Sequence, residues 1–162
     1  MRGRRGRLLV GAAVVGVAVA AAAATVAAIA RDGGGPAVIV ADERGRELAS
    51  APLPTSGRFA LQYRHSVYRA EVTETFAAAG DRFRLVAVDS PSEAVLDYYD
   101  LDGARAAAGP RWRLEPSATP AMTALPLVAT DVGRRTLVVG GRHIPLFTEG
   151  GAPAHLVLTV RR

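Results

Sequence analysis

From Ala37 to the end of the chain, apolar and polar residues alternate in short runs. The alternation is sharpest from Phe59 to Phe76, FALQYRHSVYRAEVTETF. Phe59, Leu61, Tyr63, His65 and Val67 fall on one parity, with Ala60, Gln62, Arg64 and Ser66 on the other. On the return, Val72, Glu74 and Phe76 share a parity against Glu71, Thr73 and Thr75. Period-two alternation predicts two strands, and their proximity predicts a hairpin. A turn centred on Arg69 and Ala70 sets Val67 opposite Val72, His65 opposite Glu74 and Tyr63 opposite Phe76. Every large apolar group then lies on one face, because opposed residues point to the same side. The same register sets an imidazole beside a carboxylate on the face to be buried.

The flanking pattern extends this unit. Ala37–Ala41 reads as a β-branched strand, Asp42–Gly45 as a turn, and Arg46–Leu53 as a returning strand ended by Pro52 and Pro54. Ala79-Gly80-Asp81 is a tight turn into Arg82–Asp89, where Phe83 is expected opposite Phe76, completing a meander. Ala94–Tyr99 reads equally as a short strand or a helical turn, and Ala104–Gly109 as a loop or a helical turn. Arg111–Leu114, Leu127–Thr130, Arg135–Val139, Ile144–Phe147 and His155–Val160 are short strands. Gly140-Gly141 suits a primed hairpin turn. About nine short strands without a long soluble helix predict an all-β domain, an antiparallel β-sandwich or partly open barrel.

The N-terminus is of a different kind. Residues 1–7 hold four arginines, and Leu8–Ala30 carries no charge. As a helix that run of 23 residues spans about 34 Å, enough for a bilayer core of about 30 Å. Its length favours a transmembrane signal anchor, while Ala28-Ile29-Ala30 before Arg31 has the form of a signal-peptide cleavage site. Length tips the reading to the anchor. The expected organisation is a cytoplasmic tail (1–7), a membrane helix (8–30), a Gly-rich linker (31–36) and an extracytoplasmic β-domain (37–162). Cleavage at Ala30 would release that domain as a secreted protein.

Charge changes little. The formal net charge is +5, but four of the arginines sit in the leader. From Arg31 onward sixteen arginines face all fifteen acids, so no nucleic-acid partner is implied. Lysine is missing altogether, which reads as coding bias beside the heavy Ala and Gly usage. Without cysteine there is no disulfide, thiolate metal site, cysteine nucleophile or lipid-anchored cysteine.

Candidate chemistry centres on His65 and Glu74, as a ligand-contacting or structural polar pair. A carboxylate beside an imidazole fixes its tautomer. Ser66 points to the opposite face of the strand and does not suit a catalytic partnership with His65. Asp97, Asp100 and Asp102 lack the alternation and closing glutamate of a calcium loop. His143 and His155 would have to converge with His65 from separate strands to hold zinc. Arg111, Arg113, Arg134 and Arg135 suit either carboxylate binding or solvated strand faces. No phosphate loop or nucleophile elbow is present, so neither a metal, a cofactor nor a catalytic residue is assigned.

The run Tyr63-Arg64-His65-Ser66-Val67, then Glu74-x-Phe76, then Arg135-Thr136-Leu137 ahead of Gly140-Gly141, resembles the family catalogued as domain of unknown function 1850. The resemblance covers most of the chain after the linker. It implies a small exported or membrane-anchored bacterial protein, encoded beside TRAP-type transporters of the TAXI class. Those transporters import small solutes such as carboxylates. The implied role is a non-enzymatic accessory to uptake, with TRAP-type subunits as partners. An independent domain binding an organic acid is the alternative, and a hydrolase using His65 a third. Asp97-Tyr98-Tyr99-Asp100 stands where many relatives carry an aromatic–glycine segment.

Overall fold

The computed structural model describes residues 34–162. The basic tail, the charge-free run and the small-x-small site before Arg31 lie outside the described residues. Among the described residues there are eleven strands and one short helix. In order these are β1 (Ala37–Asp42), β2 (Glu47–Pro52), β3 (Arg58–Arg64), β4 (Glu71–Ala79) and β5 (Arg82–Ser90), then α1 (Glu93–Tyr98). There follow β6 (Gly103–Ala108), β7 (Arg111–Pro116), β8 (Ala124–Ala129), β9 (Thr136–Val139), β10 (Arg142–Pro145) and β11 (Ala154–Arg161). They make two open antiparallel sheets, one ordered β2-β1-β11-β8 and the other β10-β9-β3-β4-β5-β7-β6. Both sheets keep their edges, so the barrel alternative is not realised.

The sheets share one apolar core. Val38, Val40 and Leu158 from the smaller sheet meet Phe59, Leu61 and Phe76 from the larger. The rings of Phe59, Phe76 and Phe83 touch at centroid distances of 5.2–5.8 Å, offset or edge-on as their quadrupoles favour. A second cluster lies at the other end of the larger sheet. There Val95 and Leu96 of α1 pack on Val72, Val88 and Leu114.

Several sequence expectations shift. The stretch Ala94–Tyr99 is helical, and Val95 and Leu96 form its buried stripe. The alanine-rich stretch Ala104–Gly109 is an edge strand, β6, paired only with β7. All six β6 residues are exposed, so no alternation marked it. Gly140 and Gly141 have φ of 56° and 79° and close the β9–β10 hairpin with both central residues left-handed, as a primed turn requires.

The central hairpin also differs in register. Phe59 lies opposite Phe76, Leu61 opposite Glu74 and Tyr63 opposite Val72. His65 and Glu74 are not cross-strand partners, and residues 65–70 form a loop rather than extended strand and two-residue turn. Phe83 lies opposite Ala78, not Phe76. Val67, expected inward, is 66% exposed.

β3 is entered through Gly57, whose φ is +65° and whose carbonyl accepts the Ala78 N–H at 2.8 Å. A Cβ there would sit 2.8 Å from the Ala78 carbonyl oxygen. Gly57→Ala is therefore expected to cost about 1–2 kcal/mol in backbone conformation alone, with the clash adding to it. Chemical denaturation measures this, and a loss under about 0.5 kcal/mol would contradict the close β3–β4 approach.

Candidate functional site

The inner face of the larger sheet carries a row of opposed residues: Leu137, Leu61, Glu74, Val88 and Leu114. The four apolar members are fully buried. Glu74 stands between them, with the main core on its Leu61 side and the second cluster on its Val88 side. Along β4 it also separates Phe76 of the first from Val72 of the second. A carboxylate there must be hydrogen-bonded, because desolvating it without partners costs several kcal/mol.

Two phenols supply those bonds. The Tyr99 hydroxyl donates to Glu74 Oε1 at 2.6 Å and the Tyr63 hydroxyl to the same oxygen at 3.0 Å. The two hydroxyl oxygens lie 2.6 Å apart. Two phenolic protons thus serve three close oxygen contacts. Tyr63 comes from β3, Glu74 from β4, and Tyr99 from the C-cap of α1. The cluster therefore ties helix to sheet. The Arg135 guanidinium covers the Tyr63 ring, 4.4 Å from its centroid, a cation–π contact. Burial above all, and then the Glu74 charge, pushes both phenols well above the ordinary tyrosine value of 10.0.

His65 does something else. Its Nδ1 accepts the backbone N–H groups of Val67 and Tyr68, both at 3.3 Å. An accepting Nδ1 carries no proton, so the ring proton sits on Nε2. The loop closes through His65 N–H to the Ala70 carbonyl at 2.8 Å and Arg69 N–H to the His65 carbonyl at 2.9 Å. The buried imidazole also packs against Tyr68 and edge-on to Tyr98. Sequence reasoning joined His65 to Glu74. The structure instead gives Glu74 to Tyr63 and Tyr99, and His65 to its own loop. Of the five sequence-chosen residues, Tyr63 and Glu74 come together, while Ser66 and Val67 ride on the exposed loop. Tyr99 was missed as a site residue. Its signal was present: an inner-face carboxylate requires donors, and tyrosine hydroxyls are donors.

Two of the remaining charged candidates pair locally. Asp97 bonds Arg105. Arg113 bridges both carboxylate oxygens of Asp89 at 2.9–3.0 Å and Glu115 at 2.9 Å. Glu115, chiefly, and Asp89 hold the Arg113 guanidinium above its usual value. His143 on β10 and His155 on β11 belong to different sheets. Among the described residues no three His, Cys, Asp or Glu side chains gather as metal ligands would.

Outside the core, a depression of about 750 Å³ opens at the end of β3 and β4. Arg64, Arg69, Arg111 and Arg134 line it, with Glu71 as the lining carboxylate.

Two outcomes test the phenol–carboxylate cluster. Tyr99→Phe is expected to lose about 1.5–3 kcal/mol, the worth of a hydrogen bond to a charged group. Glu74→Leu alone should destabilise by leaving a phenol unpartnered; adding Tyr63→Phe and Tyr99→Phe should return most of that loss. Simple additivity in denaturant would show that the three groups do not act together. The second outcome concerns alkali. Phenols raised in the folded state stabilise it fully below pH 10, the unfolded value. As pH climbs above that, the unfolded chain ionises first and stability falls. Ultraviolet titration should show the phenolate signal of Tyr63 and Tyr99 appearing together with loss of folded structure. Ionisation of either in the intact fold, identified with the Tyr→Phe variants, would contradict the cluster.

No family model, no curated protein and no solved structure matches this chain.

Proposed function

We propose that the chain is a non-enzymatic accessory of solute uptake: an all-β domain outside the cell membrane, tethered by the helix expected over residues 8–30, working beside a TRAP-type transporter. The sequence resemblance to domain of unknown function 1850 motivates the partner. One observation carries the non-enzymatic half. The polar groups that drew attention in the sequence are spent on the fold itself. Glu74 takes two phenol hydroxyls, and the His65 Nδ1 takes two backbone N–H groups. A general base needs a free lone pair within reach of a nucleophile. His65 has committed that lone pair to its own loop, which argues against the hydrolase reading.

A second reading, an independent domain that binds an organic acid, is favoured by the arginine-lined depression. The two differ in what must accompany the protein.

The full chain, solubilised from its native membrane after mild cross-linking, is expected to bring down TRAP-type transporter subunits. Deleting its gene should reduce uptake of that transporter's solute, and returning the full chain should restore it. Unchanged uptake together with no co-purification would remove the accessory role.

A further inference from the structure

The outer face of the larger sheet is organised as regularly as the inner one. Thr136, Gln62, Thr73, Asp89 and Arg113 form an opposed row across β9, β3, β4, β5 and β7. Asp89 is neutralised within that row by Arg113. Thr136, Gln62 and Thr73 stay as neutral hydrogen-bonding groups on the floor of the depression. Around them stand Arg64 at the end of β3, Arg69 in the following loop, Arg134 ahead of β9 and Arg111 at the start of β7. With Glu71 as the lining carboxylate, positive charge is in excess by three.

Arg113 is held by two acids at 2.9 Å, whereas these arginines are paired weakly or not at all. Arg111 lies 3.7 Å from Glu71 and Arg134 3.3 Å from Glu149, and both acids are largely exposed. Such pairs hold weakly against competition. Arg64 is fixed along one edge, its Nε donating to the Arg69 carbonyl at 3.1 Å. Among the described residues its terminal nitrogens and the whole Arg69 guanidinium meet no carboxylate. Backbone geometry adds a separate observation. Among the described residues three non-glycine positions have φ near +50°, and two of them, Arg69 (57°) and Arg134 (47°), line this depression. Left-handed backbone at such residues is costly and collects at ligand-binding positions.

From this geometry we infer that the depression binds a small organic dianion of the dicarboxylate class. Guanidinium forks match carboxylates two bonds at a time. Arg134 ahead of β9, Arg64 and Arg69 at the β3–β4 end and Arg111 on β7 belong to different strands of the sheet, whose neighbours lie about 4.8 Å apart, so the cations are spread out rather than gathered at a point. Spread cations fit two separated carboxylates better than one tetrahedral oxyanion. A space of about 750 Å³ is within the usual range for small-molecule sites. The assignment rests on the non-enzymatic binding reading and does not require the transporter. Binding without co-purification would remove the partner and leave the site.

The test is calorimetric titration of the full chain in non-ionic detergent. Succinate is expected to bind, to weaken as ionic strength rises, and to outcompete acetate and inorganic phosphate. Arg64→Gln and Arg134→Gln should each weaken it at least about tenfold with the melting temperature held. Arg84→Gln, at the other end of the sheet, should change nothing. No succinate binding at 10 mM, a concentration about tenfold above a 1 mM Kd, would overturn the proposal. So would phosphate binding as tightly as succinate, or binding indifferent to the arginine changes. Arginine-dependent attachment to anionic phosphatidylserine vesicles without succinate binding would move these arginines to a lipid surface and equally overturn it. Release of a chemically altered ligand would sink the non-enzymatic reading as well.

Discussion

A carboxylate in the middle of an apolar row is the constraint from which the larger sheet's organisation follows. Glu74 occupies the one polar position in a line of five inner-face residues, and it cannot be hidden without donors. The donors come from two different elements, β3 and the end of α1. Satisfying Glu74 therefore fixes the helix over the sheet end and keeps Tyr63 on the inner face. α1 has six residues, far too short to be stable on propensity alone. Its Ser92 N-cap makes no side-chain capping bond. Burial of Val95 and Leu96 and the Tyr99 bond to Glu74 hold it in place. The same carboxylate splits the apolar interior, with the sheet–sheet core on one side and the helix-capped cluster on the other.

How much of this was legible follows from the symmetry of a strand. The parity of β3 and β4 was readable, and so was the conclusion that Glu74 faces inward. The register was not. The expected pairing of His65 with Glu74 and the observed pairing of Leu61 with Glu74 differ by an even number of residues. An even slip keeps every side chain on its own face, so hydrophobic patterning cannot tell the two apart. Only the turn could decide. A two-residue turn keeps Val67 in the sheet, whereas the loop observed here needs an acceptor for the amides of Val67 and Tyr68. The His65 Nδ1 is that acceptor, a role that sequence spacing does not announce. The slip of Phe83 from Phe76 to Ala78 has the same origin: it is again an even slip, set by a turn that places Ala79 opposite Arg82.

Elements without a buried face were illegible for a complementary reason. β6 exposes every residue and pairs with one neighbour, so its alanines carried no period. α1 buries two adjacent residues, Val95 and Leu96, too few to separate a 3.6 period from a period of two. Where one face is buried over several residues, as in β11 with Leu156, Leu158 and Val160, the strand was read directly.

The two faces of the larger sheet divide polar chemistry in opposite ways. Inside, Glu74 Oε1 and the His65 Nδ1 are each taken up by groups of the fold itself. Outside, at the same strand ends, the main chain that carries Arg64 and Arg134 is fixed by backbone bonds. The Arg64 N–H donates to the Gly133 carbonyl at 2.8 Å, joining the 65–70 loop to the turn that carries Arg134. Within that turn the Arg134 and Gly133 N–H groups both return to Thr130, at 2.9 Å. These bonds maintain the left-handed conformations at Arg69 and Arg134 by way of main chain, without using either guanidinium. The arrangement links the halves of the structure: His65 shapes the loop that presents Arg69, and the strand bearing Arg64 also bears Tyr63, bonded to Glu74 beneath. The part-buried cluster and the exposed cations thus share β3, and under the proposed anion binding, charge held by that strand would cost less to order than that of flexible surface arginines.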